Sequence, residues 1–263
     1  MKTSNFQRIV KGTKKSTMLL AAVAFATSVS FTSCNKDDAP GADLSLQNET
    51  AQVISPGATA TFTGAAGSIS RGSGANNGIY TVANYFIDNG ILSGTGYHIP
   101  NGFYYFDLSE NDNAPVPTGS TTPTVSWDIA FGGTGNAYIT VNSGVRLKAI
   151  DKAFASVTLT DTTAATLISI AAGGFGHDGF LAPGTPSSDV DPTPASITGW
   201  ANYWFDQHTL IKIANRTLIF KDAAGNVYAF DFESVYENAT PIPGASGFPD
   251  NYSRLHFRYK KLN

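Results

Sequence analysis

The chain predicts an all-β fold: one antiparallel β domain with long loops. Three observations point there. The apolar residues of the C-terminal two-thirds recur with period two. Only 14% of residues are charged, while Gly, Thr, Ser and aromatics are plentiful, a mix that suits many short strands joined by turns. The segments between the alternating runs hold Gly and Pro, which suit turns and not sheet interiors. In chain order, strands are expected at 59–63, 102–108, 125–131 and 137–141. Residues 162–172 (TTAATLISIAA) are the one plausible helix, although Ile and Thr suit strands too. Residues 109–124 and 173–197 read as loops because prolines and glycines crowd them. The clearest element is a hairpin. Residues 217–220 and 227–233 alternate around Asp222-Ala-Ala-Gly225-Asn226, which places Tyr228, Phe230 and Phe232 on one face. Residues 255–260 alternate again, with Leu255, Phe257 and Tyr259 facing one way and His256, Arg258 and Lys260 facing solvent.

The first 33 residues read as an export signal. Lys2, Arg8, Lys11, Lys14 and Lys15 precede an apolar run over 18–31, then Thr32, Ser33 and Cys34, the only cysteine. About 14 residues at helical rise reach about 21 Å, short of a ~30 Å hydrocarbon core, so this run is not expected to span a membrane. Phe31-Thr-Ser-Cys34 resembles a bacterial lipoprotein box, with Phe31 where that box usually has Leu. The resemblance implies that Cys34 carries diacylglycerol and heads the mature protein, held to the membrane by several acyl chains together. Asn35-Lys36-Asp37-Asp38 resembles the surface-export signal of Bacteroidota lipoproteins. The expected division is therefore a signal over 1–33, a lipidated tether over 34–45 and a β domain over 46–263. The expected location is the outer membrane, exposed at the cell surface.

Charge narrows the partners. Loss of residues 1–33 removes five Lys and Arg and no acid, taking the formal charge from −3 to −8. An acidic chain without basic clusters is not expected to bind nucleic acid. With Cys34 committed to lipid, neither a disulfide nor thiol catalysis is available. No Gly-x-Ser-x-Gly, His-Glu-x-x-His or phosphate-binding Gly-Lys-Ser/Thr motif is present, so no enzyme is expected.

Several segments together resemble the HmuY family of surface haem-binding lipoproteins. They are Phe103-Tyr-Tyr-Phe-Asp-Leu108, then Val125-Ser-Trp-Asp-Ile-Ala-Phe131, then AYITVNSG over 137–144. Gly199-Trp200, Asp206-Gln-His-Thr209, the hairpin over 216–230 and Leu255-His-Phe-Arg-Tyr-Lys-Lys261 complete the set. Order and spacing agree from about residue 100 to the end, while residues 46–99 add nothing. The resemblance implies an all-β fold, capture of haem or of haem from haemoproteins, and delivery to an outer-membrane uptake receptor. It also implies iron held between two axial side chains on neighbouring loops, His in one branch of the family and Met in another.

Here Met1 and Met18 are the only methionines, and both leave with the signal. Axial ligands would then come from His98, His177, His208 and His256, or less often Tyr. By order along the chain, His177 and His208 match the family's two ligand loops. The family's second ligand lies five residues after Gly-Trp, where this chain has Phe205. Each histidine also has a plainer reading: His177 as a solvated loop residue beside Phe175 and Phe180, and His208 as a structural residue before the hairpin. Tyr203, Trp204 and Phe205 read as core, and Trp127 and Asp128 as structural, the carboxylate receiving backbone N–H groups. Asp189 with Asp191, and Glu110 with Asp112, are weak Ca²⁺ candidates of the kind that polar loops present by default. A second function class fits the aromatic loops: a surface glycan- or protein-binding adhesion module.

Overall fold

The computed structural model describes residues 51–62, 66–87, 103–112, 126–132, 138–170, 174–181, 197–242 and 249–263. Cys34, the tether, the boundaries at 33 and 45, His98, Asp189 and Asp191 lie outside the described residues. The described chain is all-β, and its helical segments are 3-10 turns of at most five residues.

Three strands open the domain: β1 (Thr59–Thr61), β2 (Ser68–Arg71) and β3 (Ile79–Phe86). Three form a small antiparallel sheet: β4 (Tyr104–Phe106), β5 (Ile129–Gly132) and β6 (Tyr138–Val141). Next come β7 (Arg146–Asp151) and a two-residue β8 (Thr166–Leu167). A second small sheet follows, of β9 (Gly176–Leu181), β10 (Gly199–Trp204) and β11 (Thr209–Lys212). The chain ends on β12 (Arg216–Lys221), β13 (Val227–Tyr236) and β14 (Tyr252–Lys261). The large sheet runs β1-β2-β3-β14-β13-β12-β7-β8 and is antiparallel throughout, whereas β9 and β10 pair in parallel.

The hairpin forms as predicted. Gly225 takes φ +92, and the Asp222 carboxylate accepts from Asn226 N at 2.7 Å and Asn226 Nδ2 at 2.6 Å, which holds the turn closed. One face of the large sheet carries Phe220, Phe230, Phe232, Phe257 and Tyr259, all buried. Phe230 stacks on Phe257 at 4.9 Å. The small sheets cover this face. Phe106 and Phe131 from the first meet Phe257 at 5.2 and 5.3 Å, and Trp200 from the second lies 4.0 Å from Phe232. Each such side chain is worth about 1.5–3 kcal/mol of transfer free energy on burial. The opposite face carries a smaller core of Phe154, Val157, Ala165, Ile219, Val227 and Ala229 under the segment 152–165.

Four expectations are corrected. No helix forms over 162–170. A 3-10 turn at Leu159–Thr163 is held by Asp161, which accepts from Thr158 N and Oγ1 and pairs with Lys152, and Thr166–Leu167 then joins the sheet edge. The β-branched residues there follow the available strand partner, Lys148–Ala149. The loop expected over 173–197 begins instead with β9. The strand expected over 125–131 starts at Ile129, so half-buried Trp127 lies ahead of it, edge-on to Tyr105 at 4.7 Å. His256 is buried and does not face solvent. Asn84 takes φ +52 at a register shift, and the turn Glu237–Ala239 folds over it. The Asn84 Oδ1 atom then receives Asn238 N at 2.9 Å and lies 3.0 Å from His256 Nε2. The strand expected at 59–63 forms as β1, and residues 68–86, where none was expected, supply β2 and β3.

Candidate functional site

The second small sheet brings His177 and His208 to one tyrosine. His177 is the second residue of β9, and His208 closes the turn between β10 and β11. Tyr203 on β10 has its hydroxyl 2.7 Å from His208 Nδ1, and its ring lies 6.0 Å from the His208 ring and 6.4 Å from the His177 ring. Tyr138 on β6 approaches the other side of His177, hydroxyl to Nδ1 at 3.4 Å and rings at 5.8 Å. Each imidazole therefore has its Nδ1 turned to a phenol. Where the phenol oxygen accepts from Nδ1–H, Nε2 keeps the lone pair that a metal requires. Burial lowers the pKa of His177, which favours the neutral, lone-pair-donating ring at pH 7.

Glycines bring these elements together. A Cβ on Gly176 would stand 2.5 Å from the Tyr138 ring, and one on Gly199 would stand 2.2 Å from the His177 carbonyl carbon. Glycine in β9 thus marks a close approach of ring and strand, which is why a segment that reads as loop pairs as an edge strand. Asp178 fixes the strand from its other side. Its Oδ1 accepts from Thr198 N at 2.9 Å, and its Oδ2 is paired with Arg216 Nη1. Arg216 also forks onto Asp151 at 2.7 and 3.0 Å and donates to Gly199 O at 2.9 Å. Sequence reasoning passed over Asp178 and Arg216; the one signal was an Asp directly after the histidine in a glycine run.

His208 is in the left-handed region at φ +51, an unusual conformation for a side-chain-bearing residue and one that histidine enters more readily than most. Its carbonyl accepts from the Tyr252 hydroxyl. Phe205, in the position of the resembling family's second ligand, is 39% exposed with its ring edge-on to Tyr203 at 5.3 Å. Trp204 is buried, and its indole Nε1 has no hydrogen-bond partner among the described residues. The arrangement sets two imidazoles about one tyrosine ring, with an exposed Phe beside them.

Asp128 has the structural part expected of it, receiving Leu108 N at 2.9 Å. Among the described residues no group of three or more His, Cys, Asp or Glu side chains could hold a metal ion. Asp112, a Ca²⁺ candidate, is bridged backbone to backbone with Asp107.

No known family's sequence profile and no curated protein matches the chain. Solved structures do align with it. One is a protein assigned as a lipoprotein from Bacteroides fragilis, 15% identical, covering 71% of this chain and 92% of that one at a TM-score of 0.34. Another is a protein assigned as HmuY-like and haem-binding from Bacteroides vulgatus, 13% identical, covering 72% of this chain and 94% of that one, also at 0.34. The likeness to both is slight.

Proposed function

We propose that this chain is a surface lipoprotein, anchored through Cys34, that captures haem with His177 and His208 and yields it to an outer-membrane uptake receptor. One observation carries the reading: two histidines 31 positions apart in sequence meet at the Tyr203 ring, each with its Nδ1 toward a tyrosine hydroxyl. Bound haem would supply an iron that takes imidazole nitrogen as a ligand. The chain supplies the imidazoles, orients them through Tyr138 and Tyr203, and holds β9 in place through Asp178. The lipoprotein box and the sequence resemblance over residues 100–263 support the same reading.

The test is titration of the metal-free protein with ferric haem. Wild type is expected to give a saturable Soret band of the low-spin, two-imidazole kind. His177→Ala and His208→Ala should each weaken it and leave five-coordinate haem. His256→Ala, whose ring is tied to Asn84, should not change the spectrum. A wild-type spectrum no different from free haem would overturn the proposal in favour of a glycan- or protein-binding surface module.

A further inference from the structure

A cleft of about 720 Å³ opens on the face of the large sheet opposite the aromatic core, a size in the range of small-molecule sites. Arg146 and Lys148 stand two apart on β7, so both side chains leave the same face. Lys221 on β12 lies directly across from Arg146. Like charges opposed in this way destabilise an antiparallel pair. Among the described residues none of the three is paired with a carboxylate; Lys148 Nζ donates to the carbonyl of Thr162 at 2.6 Å. Asp222 also lines the cleft, but both its oxygens are taken by Asn226. Three cations thus converge in a chain whose net charge is negative.

The walls are built. Gly144, at φ +83, brings the β6–β7 turn against the β12–β13 turn, where a Cβ would stand 3.3 Å from the Ala223 methyl. The 3-10 turn Leu159–Thr163 forms the flank, tied down by Asp161, and leaves Leu159 43% exposed toward the cleft. Leu159, Ile219 and Val227 line the same cleft as the three cations, and an anionic head attached to a hydrocarbon chain suits such a mixed lining.

We propose that this cleft binds a single-chain anionic amphiphile, its acidic head on Arg146, Lys148 and Lys221 and its chain along Leu159, Ile219 and Val227. The site is separate in its residues from the histidine site and stands or falls without it. The test is calorimetric titration of the unlipidated full-length chain with dodecyl phosphate below its micelle concentration. Inorganic phosphate and dodecyl maltoside serve as the head-only and uncharged-head probes. Dodecyl phosphate is expected to bind saturably, and roughly tenfold more weakly when salt is raised from 0.05 to 0.5 M, since partly exposed charges are screened. Arg146→Glu/Lys221→Glu should abolish binding, the neutral pair Arg146→Gln/Lys221→Gln should weaken it, and Arg254→Glu, on β14 two strands beyond β12, should leave it intact. Retention of the fold in each variant is read by near-ultraviolet circular dichroism. Equal binding of dodecyl maltoside would overturn the charge assignment. Equal binding of inorganic phosphate would overturn the chain assignment. Binding untouched by charge reversal would remove the site altogether.

Discussion

Asp178, the neighbour of His177, is ion-paired with Arg216 across the boundary between the small β9-β10-β11 sheet and the large one, and neither side chain is more than 1% exposed. The pair does two things. It satisfies two charges that burial would otherwise penalise heavily, and it fixes the strand that carries His177. Removing one partner strands the other.

Arg216→Ala is expected to cost about 3–5 kcal/mol of unfolding free energy, read by denaturant melts. Asp178→Asn should cost less, because the amide still accepts from Thr198. In a double-mutant cycle the two changes should fall well short of additive. Additive losses would mean that the two side chains act independently.

Asp128 gives the fold a pH signature. Burial, with the negative charge of Asp107 next, raises its pKa from 3.8 to about 7, against a smaller opposing effect of the Leu108 N–H. A folded pKa above the unfolded one means that the fold favours the protonated acid. That contribution is fully present below pH about 4 and is lost as pH rises through about 7. Asp128→Asn, permanently neutral, should therefore gain on wild type as pH rises from 4 to 8, by at most about 1.4 kcal/mol per pH unit. Melting curves that stay parallel across this range would show that the carboxyl is already ionised in acid.

Trp127 separates packing from alternation. Its place in an apolar run suggests a core strand residue, for which truncation costs about 3–5 kcal/mol. The structure puts it ahead of β5, half-buried on Tyr105. Trp127→Ala should cost only about 1–3 kcal/mol, and Phe257→Ala, at the centre of the core, about 3–5 kcal/mol. Equal losses would place Trp127 back in the core.

The anchor is tested by Cys34→Ala, which should move the protein from the membrane fraction to the soluble one in detergent-free fractionation. Continued sedimentation with membranes would point to another attachment. Deleting residues 35–38 should protect the protein from external protease on intact cells if those residues direct surface export.

Much of the fold was legible where one strand face is buried and the other is wet. The 217–233 hairpin and the 255–260 run alternate because one side meets the Phe230–Phe257 core. It was not legible in β9, where glycines serve a ring and a strand packed against them, a tertiary cause that no local window contains. His256 misled for a related reason: alternation placed it outward correctly, but the turn at Glu237–Ala239 covers that outward face. Of the candidate site, His177 and His208 were visible as residue types. Tyr203 as their meeting point and Asp178 with Arg216 as supports depend on contacts between distant segments.

His208 allows a ligand role to be told from a structural one. Its backbone is in the left-handed region, which costs a residue bearing a Cβ about 1 kcal/mol and glycine almost nothing. His208→Ala loses the bond to Tyr203 and keeps the strain. His208→Gly loses the same bond and releases it, so the glycine variant should unfold at higher denaturant than the alanine variant. Neither offers an imidazole, so both should lose haem affinity by the same factor, and added free imidazole should restore the six-coordinate spectrum to both. Stability and haem binding are then expected to part company across the pair. Haem affinity that instead tracks stability, higher in His208→Gly than in His208→Ala and unmoved by imidazole, would make His208 a turn residue and leave the iron to other side chains.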